Sequence, residues 1–325
     1  MKIRNLDLTS NPINEEHQQL GIPPVEEPVS HPGAHPLLHA ATWFAVLVMV
    51  ALVLFLTGRF FFSNNWAGGW QIINETLSAS SFWSAVTVGF FAQVVDGALG
   101  MAYGVTATTF LLATGASPAA ASASVHIAEI FTTGVSGISH AKFGNVNKEL
   151  FVRLLVPGIL GGISGAILVT YIDGTVFKPY ISGYLLLLGI YILSKAFRPF
   201  RLRTQAPRHV GKLALFGGFV DAAGGGGWGP VVTSTLVGSG NDPRTTIGSV
   251  NFAEFFLTLA GATVFTLLME NNTWVIIVGL VFGGLFAAPF AAVLCKKLHA
   301  RTLLILVGVL IIMTSSYNLY RALAL

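Results

Sequence analysis

Apolar runs of about twenty residues or more recur along most of this chain, at about 40 to 62, 82 to 113, 118 to 140, 150 to 172, 179 to 197, 212 to 238, 244 to 268, 274 to 295 and 302 to 322. They lack the alternation of barrel strands, and bilayer hydrocarbon offers no water to unpaired backbone groups, so they predict membrane helices. Two runs do not fit a simple crossing. At about 1.5 Å per residue a straight helix over 82 to 113 would run roughly 48 Å, against a hydrocarbon core of about 30 Å. The run from 212 to 238 carries "FVDAAGGGGWGPVVTSTL", in which an aspartate, four consecutive glycines and a proline interrupt the apolar pattern.

The two odd runs are related. Displacing the chain against itself by 125 residues superposes Asp96 on Asp221, Gly100 on Gly225, Tyr103 on Trp228, Gly104 on Gly229 and Thr108 on Thr233. The register continues through Pro118 on Pro243, Ser124 on Ser249, His126 on Asn251 and Glu129 on Glu254. Residues 82–197 and 212–322 therefore read as two copies of one repeat. A basic linker at 198–211 joins them, and a further transmembrane helix at 40–62 stands in front.

The halves are parallel if each broken run crosses once, and inverted if it enters and returns as two half-helices. Charge separates these options. With the basic linker placed inside, the return arrangement leaves Arg59, Lys178 and Arg321 outside, whereas the crossing arrangement leaves seven basic residues there; Arg153, at a helix end where it is expected to snorkel, is uncounted in both. The expected fold is an all-α polytopic membrane protein of two inverted repeats. Each repeat holds a re-entrant half-helix hairpin and three spanning helices, with the N-terminus cytoplasmic.

Composition agrees with that reading: 53% of residues are hydrophobic and 10% charged. The net charge of +4 follows from basic cytoplasmic loops and calls for no nucleic acid. Cys295 is the single cysteine and reads as an apolar packer. Residues 1–39 are polar and Pro-rich, lack a signal-peptide pattern and read as a cytoplasmic tail. His31, His35 and His39 recur at a spacing of four, but Pro32 and Pro36 interrupt a regular helix there.

A hairpin turning inside the membrane needs positive φ and close backbone approach, which "AAGGGGWGP" supplies and "DGALGMAYG" supplies with fewer glycines. Its starting half-helix would leave N–H groups pointing inward, a positive site without Lys or Arg that suits an anion. Glycines that serve helix packing alone are the other reading. No Lys-Ser or Lys-Thr follows the run, so it is not a P-loop. The following helices open with Ser117 and Pro118, and with Asp242 and Pro243, as N-cap and first helical residue. One face of the first then carries Ser122, His126, Glu129 and Thr133, and Asn251, Glu254 and Thr258 repeat the stripe. Ionisable groups at membrane depth mark pathways, which singles out Glu129 and Glu254. The competing readings are an inter-helix hydrogen bond for each glutamate, a packed histidine at 126, and helix caps at Asp96 and Asp221.

The segments "GFFAQVVDGALGMAYGVTATTFLL" with "SPAAASASVHIAEIFTTGVSG", and "GGFVDAAGGGGWGPVVTSTLV" with "DPRTTIGSVNFAEFFLTLAG", resemble the sulfite exporter TauE/SafE family, also described as a 4-toluene sulfonate uptake permease family. The resemblance covers roughly residues 82 to 322. It implies secondary transport of small, often sulfur-containing anions, such as sulfite or organosulfonates, across a prokaryotic plasma membrane. On that reading Gly100, Gly104, Gly225, Gly226, Gly227 and Gly229 offer amides to the anion, Ser124, His126, Ser249 and Asn251 complete the polar contacts, and Tyr103 and Trp228 wall the site. Ionised carboxylates would repel an anion, so Glu129 and Glu254, with Asp96 and Asp221, are candidates for proton coupling. The alternative is an anion channel on the same hairpins. An enzyme is not expected: His126 and Glu129 fall short of the paired-histidine zinc motif, and no metal or cofactor is assigned. The partners expected are a small anion and the lipid bilayer, and the oligomeric state stays open.

Overall fold

The computed structural model describes residues 35–61, 65–99, 101–197, 209–239, 241, 243–269, 274–297 and 300–324. The tail residues 1–34, including His31, most of the basic linker (198–208), Gly100 and Asp242 lie outside the described residues.

Among the described residues, twelve α-helices and one π-helical turn follow in order: α1 Pro36–Phe61, α2 Asn65–Ser78, α3 Ser80–Leu99, α4 Tyr103–Ala113, α5 Pro118–Lys142, α6 Lys148–Tyr171, α7 Gly174–Lys195 and α8 Val210–Gly224. After the π turn Trp228–Thr233 come α9 Ser234–Gly238, α10 Pro243–Leu268, α11 Trp274–Lys297 and α12 Ala300–Ala324. Both long apolar runs break at equivalent places, between α3 and α4 and between α8 and the π turn. With 11 residues α4 is about 16 Å long and with 15 residues α8 is about 22 Å, each short of the hydrocarbon core.

Two boundaries differ from the sequence reading. Residues 36–39, read as the end of the tail, belong to α1, because Pro36 at the first helical position starts the helix. Helix α2, "NWAGGWQIINETLS", was not foreseen, since its glycines and polar residues break the apolar pattern. The Trp83 indole donates to the Leu77 carbonyl at 2.8 Å and ties α2 to α3.

Among the described residues, four helices are long and apolar enough to cross a membrane: Pro36–Phe55, Lys148–Tyr171, Gly174–Lys195 and Thr245–Leu268. The others expected to cross are α5, whose polar stripe lowers its apolar character, α11 and α12. Outward-facing Val156, Leu160 and Leu187 are exposed, the pattern of a lipid-facing surface.

The halves exchange partners. Helix α6 of the first runs parallel to α8 of the second: Gly161 faces Leu215 and Phe219, and Gly165 faces Phe219 and Ala223. Helix α11 of the second runs parallel to α3 of the first, with Gly279 facing Phe82 to Val86 and Gly283 facing Val86 to Phe90. A Cβ at Gly161 would lie 2.2 Å from the Leu215 carbonyl oxygen, so these pairs touch backbone to backbone. Equivalent helices meet antiparallel. Gly189 of α7 lies on Ile311 and Ile312 of α12 while Gly308 lies on Leu193, and Gly137 of α5 lies on Phe252 of α10 while Gly261 lies on His126. Helix α1 leans on this core through Met49, close to Gly134, and Phe44, stacked on Phe256 at 5.8 Å.

Candidate functional site

The glycine run is explained at the end of α8. Gly225 takes φ 67 and Gly226 φ 156, backbone that side chains rarely adopt, and the amides of both turn back to the Asp221 carbonyl. Oδ1 of Asp221 then accepts the amides of Gly227 at 2.7 Å and Trp228 at 2.9 Å. Asp221 thus serves as the anion at the start of the second half-helix. In the first half the left-handed position falls to Ala102, φ 97, and Asp96 faces the Tyr103 amide in the same way.

The two breaks meet. A Cβ at Gly104 would lie 3.0 Å from the Gly226 Cα and 3.1 Å from the Gly225 oxygen, and one at Gly226 would lie 2.3 Å from the Val105 nitrogen. The Thr108 hydroxyl donates to the Gly225 carbonyl, and the Tyr184 hydroxyl to the Gly226 carbonyl at 3.1 Å. Trp228 is fully buried against Gly158 with its indole donating to the Val250 carbonyl at 3.2 Å, and Tyr103 donates to the Leu280 carbonyl at 3.3 Å.

Helix α5 brings its stripe to this junction. Ser122 donates to the Ala222 carbonyl of α8 at 2.6 Å, and His126 Nδ1 lies 2.9 Å from the Ser122 carbonyl. With that nitrogen donating, Nε2 points at Asp221 Oδ2, 3.4 Å away. Glu129 reaches the same point: its Oε1 would touch a Cβ on Gly104 at 3.0 Å. His126, Glu129 and Asp221 are at most 2% exposed, Asp96 and Glu254 are half-buried, and the four carboxylates sit near enough to feel one another's charge.

A family model described as sulfite exporter TauE/SafE matches residues 85–318, which contain both helix breaks and both polar stripes. The chain belongs to the sulfite exporter TauE/SafE family. It is also similar to a protein of Bacillus subtilis (strain 168) named "Probable membrane transporter protein YtnM", at 43% identity over 241 residues, covering 71% of this chain and 80% of that protein. No solved structure matches the chain. As a TauE/SafE member the chain is a multi-pass membrane transporter.

Within this TauE/SafE core, several residues expected at the anion site make other contacts. The amides of Gly225, Gly226, Gly227 and Trp228 are all taken by Asp221, so in this conformation they are closed to a second anion. Ser124 donates to the Ala120 carbonyl of its own helix. Ser249 accepts the Asn147 amide at 2.8 Å and so holds the turn before α6. Asn251 donates to Ser136 on α5 at 3.1 Å. Gly229 is buried in the π turn. Ser117 caps α5 as expected, accepting the Ala120 amide at 3.2 Å. Arg153 pairs at the surface with Glu149. The sequence reading did not assign Thr108 or Tyr184 to the site. Thr108 was visible as one of the superposed repeat residues, whereas Tyr184 lies in the apolar run "YLLLLGIY" with no polar neighbour to mark it.

Proposed function

We propose that this TauE/SafE protein is a secondary transporter of small sulfur oxyanions, sulfite or an organosulfonate, working by alternating access in the plasma membrane with its N-terminus in the cytoplasm. The observation that carries the proposal is the contact of Gly104 with Gly225 and Gly226, where a broken helix from each half ends beside buried carboxylates and His126. Discontinuous helices meeting at membrane depth are how many carriers place a substrate site. Residues 221–230 are buried throughout, which favours the occluded centre of a carrier over an open pore.

The proposal includes inverted repeats, with α1 as an additional transmembrane helix. In its support, α7 runs antiparallel to its equivalent α12, and α5 to its equivalent α10. The start of α10 also touches the turn before α6: a Cβ at Gly248 would lie 2.0 Å from the Asn145 oxygen. If each broken run crossed the bilayer, those two points would stand on opposite sides.

The anion travels with a proton on this reading, and Glu254 carries it. An ionised Glu254, with Asp96, Asp221 and Glu129 near it, opposes an approaching anion, and a proton removes part of that opposition. The test is uptake of labelled sulfite into proteoliposomes with and without a pH gradient, with sulfate, acetate and an organosulfonate as competitors. Saturable uptake that responds to the gradient, and a Glu254→Gln variant that has lost the response, are expected. Absence of saturable flux for all these anions overturns the substrate, and an unaltered gradient response in Glu254→Gln removes the glutamate from the coupling.

A further inference from the structure

We propose that His126 Nε2, Glu129 Oε2 and Asp221 Oδ2 form a binding site for one divalent transition-metal ion of the zinc type, held between α5 of the first half and α8 of the second. One ligand atom from each residue lies within 4.8 Å of the other two. All three named atoms are buried and lack a hydrogen-bond partner. Unsatisfied polar atoms on three residues gathered in one dry place are costly unless something positive joins them.

The histidine geometry indicates a metal. Its Nδ1 is 2.9 Å from the Ser122 carbonyl, which fixes the proton on that nitrogen and leaves the Nε2 lone pair facing a carboxylate oxygen. Metal-bound histidines are commonly held this way, with the distal N–H given to a backbone carbonyl. Ser122 is itself anchored, its hydroxyl donating to the Ala222 carbonyl one residue from Asp221. The 3.4 Å between Nε2 and Oδ2 matches the edge of a tetrahedron whose bonds are about 2.1 Å, the length of zinc bonds to nitrogen and oxygen. One imidazole with two carboxylates suits zinc and its first-row neighbours better than calcium or magnesium, which favour all-oxygen shells. Three protein ligands leave a fourth position open.

The site is built so that Asp221 serves it without leaving its cap. Oδ1 holds the amides of Gly227 and Trp228, and Oδ2 is the oxygen turned to the metal position. A divalent ion there would also offset the negative charge of Glu129 and Asp221 where an anion is to approach. Binding of the metal does not depend on which anion the protein carries, and it is measured without transport.

The experiment uses the full chain in detergent, stripped with a chelator and titrated with Co²⁺, whose visible absorption reports its coordination, and then with Zn²⁺ in competition. Metal content after gel filtration gives the stoichiometry. One equivalent of Co²⁺ with a tetrahedral-type band, displaced by Zn²⁺, is expected. Affinity should fall ten-fold or more in each of Glu129→Gln, His126→Gln and Asp221→Asn. The asparagine keeps an oxygen for the two amides, so that variant tests ligation with the cap in place, and an unchanged elution profile checks its fold. A wild type that binds no stoichiometric metal overturns the site. Binding of equal affinity in well-folded Asp221→Asn and His126→Gln also overturns it, assigning the metal to other histidines such as those of the tail.

Discussion

Gly226 rests on the backbone nitrogen of Val105, so close that a Cβ at 226 would come within 2.3 Å of it. Residues 121 apart in the chain are thereby joined at the meeting of the two broken helices. Neither side can yield, since one atom is backbone and the other is held at φ 156. Gly226→Ala should cost about 2–5 kcal/mol from backbone strain and overpacking together. The comparison is Gly58→Ala on α1, where a Cβ meets nothing within 4 Å. A melting curve in detergent should show Gly226→Ala well below wild type and Gly58→Ala level with it. Equal melting of the two variants would mean that the tips are not held by this contact.

Asp221 offers a second comparison, between removing a charge and removing a cap. Asp221→Ala strands the Gly227 and Trp228 amides, at about 1–3 kcal/mol for each buried donor. Asp221→Asn retains an acceptor. Thermal stability measured without added metal should therefore fall clearly further in alanine than in asparagine. Similar losses in both would assign the stabilisation to the negative charge instead.

Much of the helix plan was legible because lipid-facing runs are long and uniformly apolar, and the bounds of α5 to α7 and α10 to α12 fall within a few residues of the runs that predicted them. Helix α2 was not, because its polar residues and glycines look like a loop. The left-handed residue of the first break is Ala102, and alanine carries no signal for positive φ. The glycine amides were read as open to an anion, since a sequence does not show that an aspartate four residues upstream folds back onto them. Ser124, Ser249 and Asn251 were drawn into the site by repeat symmetry. Each lies on a buried helix, but its hydroxyl or amide is used for packing within or between helices. For His126 and Glu129 the missing information was the third partner, Asp221, 92 residues beyond Glu129.

Topology is open to chemical labelling. In a Cys295→Ser background, single cysteines at Val176, Lys148 and Asn241 sit outside, inside and inside if the repeats are inverted. A membrane-impermeant maleimide should label the first in intact cells and the other two after permeabilisation. Labelling of Asn241→Cys from outside would favour crossing runs and parallel repeats.

At the mouth of α7, Asp173 gives a pH-dependent contribution outside the membrane. The Thr175 hydroxyl, at 2.7 Å, and then the Thr175 amide, at 2.8 Å, hold its carboxyl below the usual range. A depressed folded value means stability that is present above the unfolded value of about 3.9 and is lost as pH falls through the folded one. Asp173→Ala should melt below wild type at pH 6, and the gap should narrow below about pH 4. A gap constant with pH would assign the effect to helix capping by the uncharged group.

The exchanged packing of the halves bears on how the molecule divides mechanically. Because α6 and α8 touch through backbone, as do α3 and α11, neither pair can slide without reopening contacts that have no side chain to rearrange. Each such pair joins a helix from residues 82–197 to one from residues 212–322, so a rigid unit of this molecule draws on both segments. Where α5 crosses α10 and α7 crosses α12, side chains such as Phe252 and Ile311 share the contact with backbone, so these seams hold atoms that can rearrange and a rocking motion would turn there.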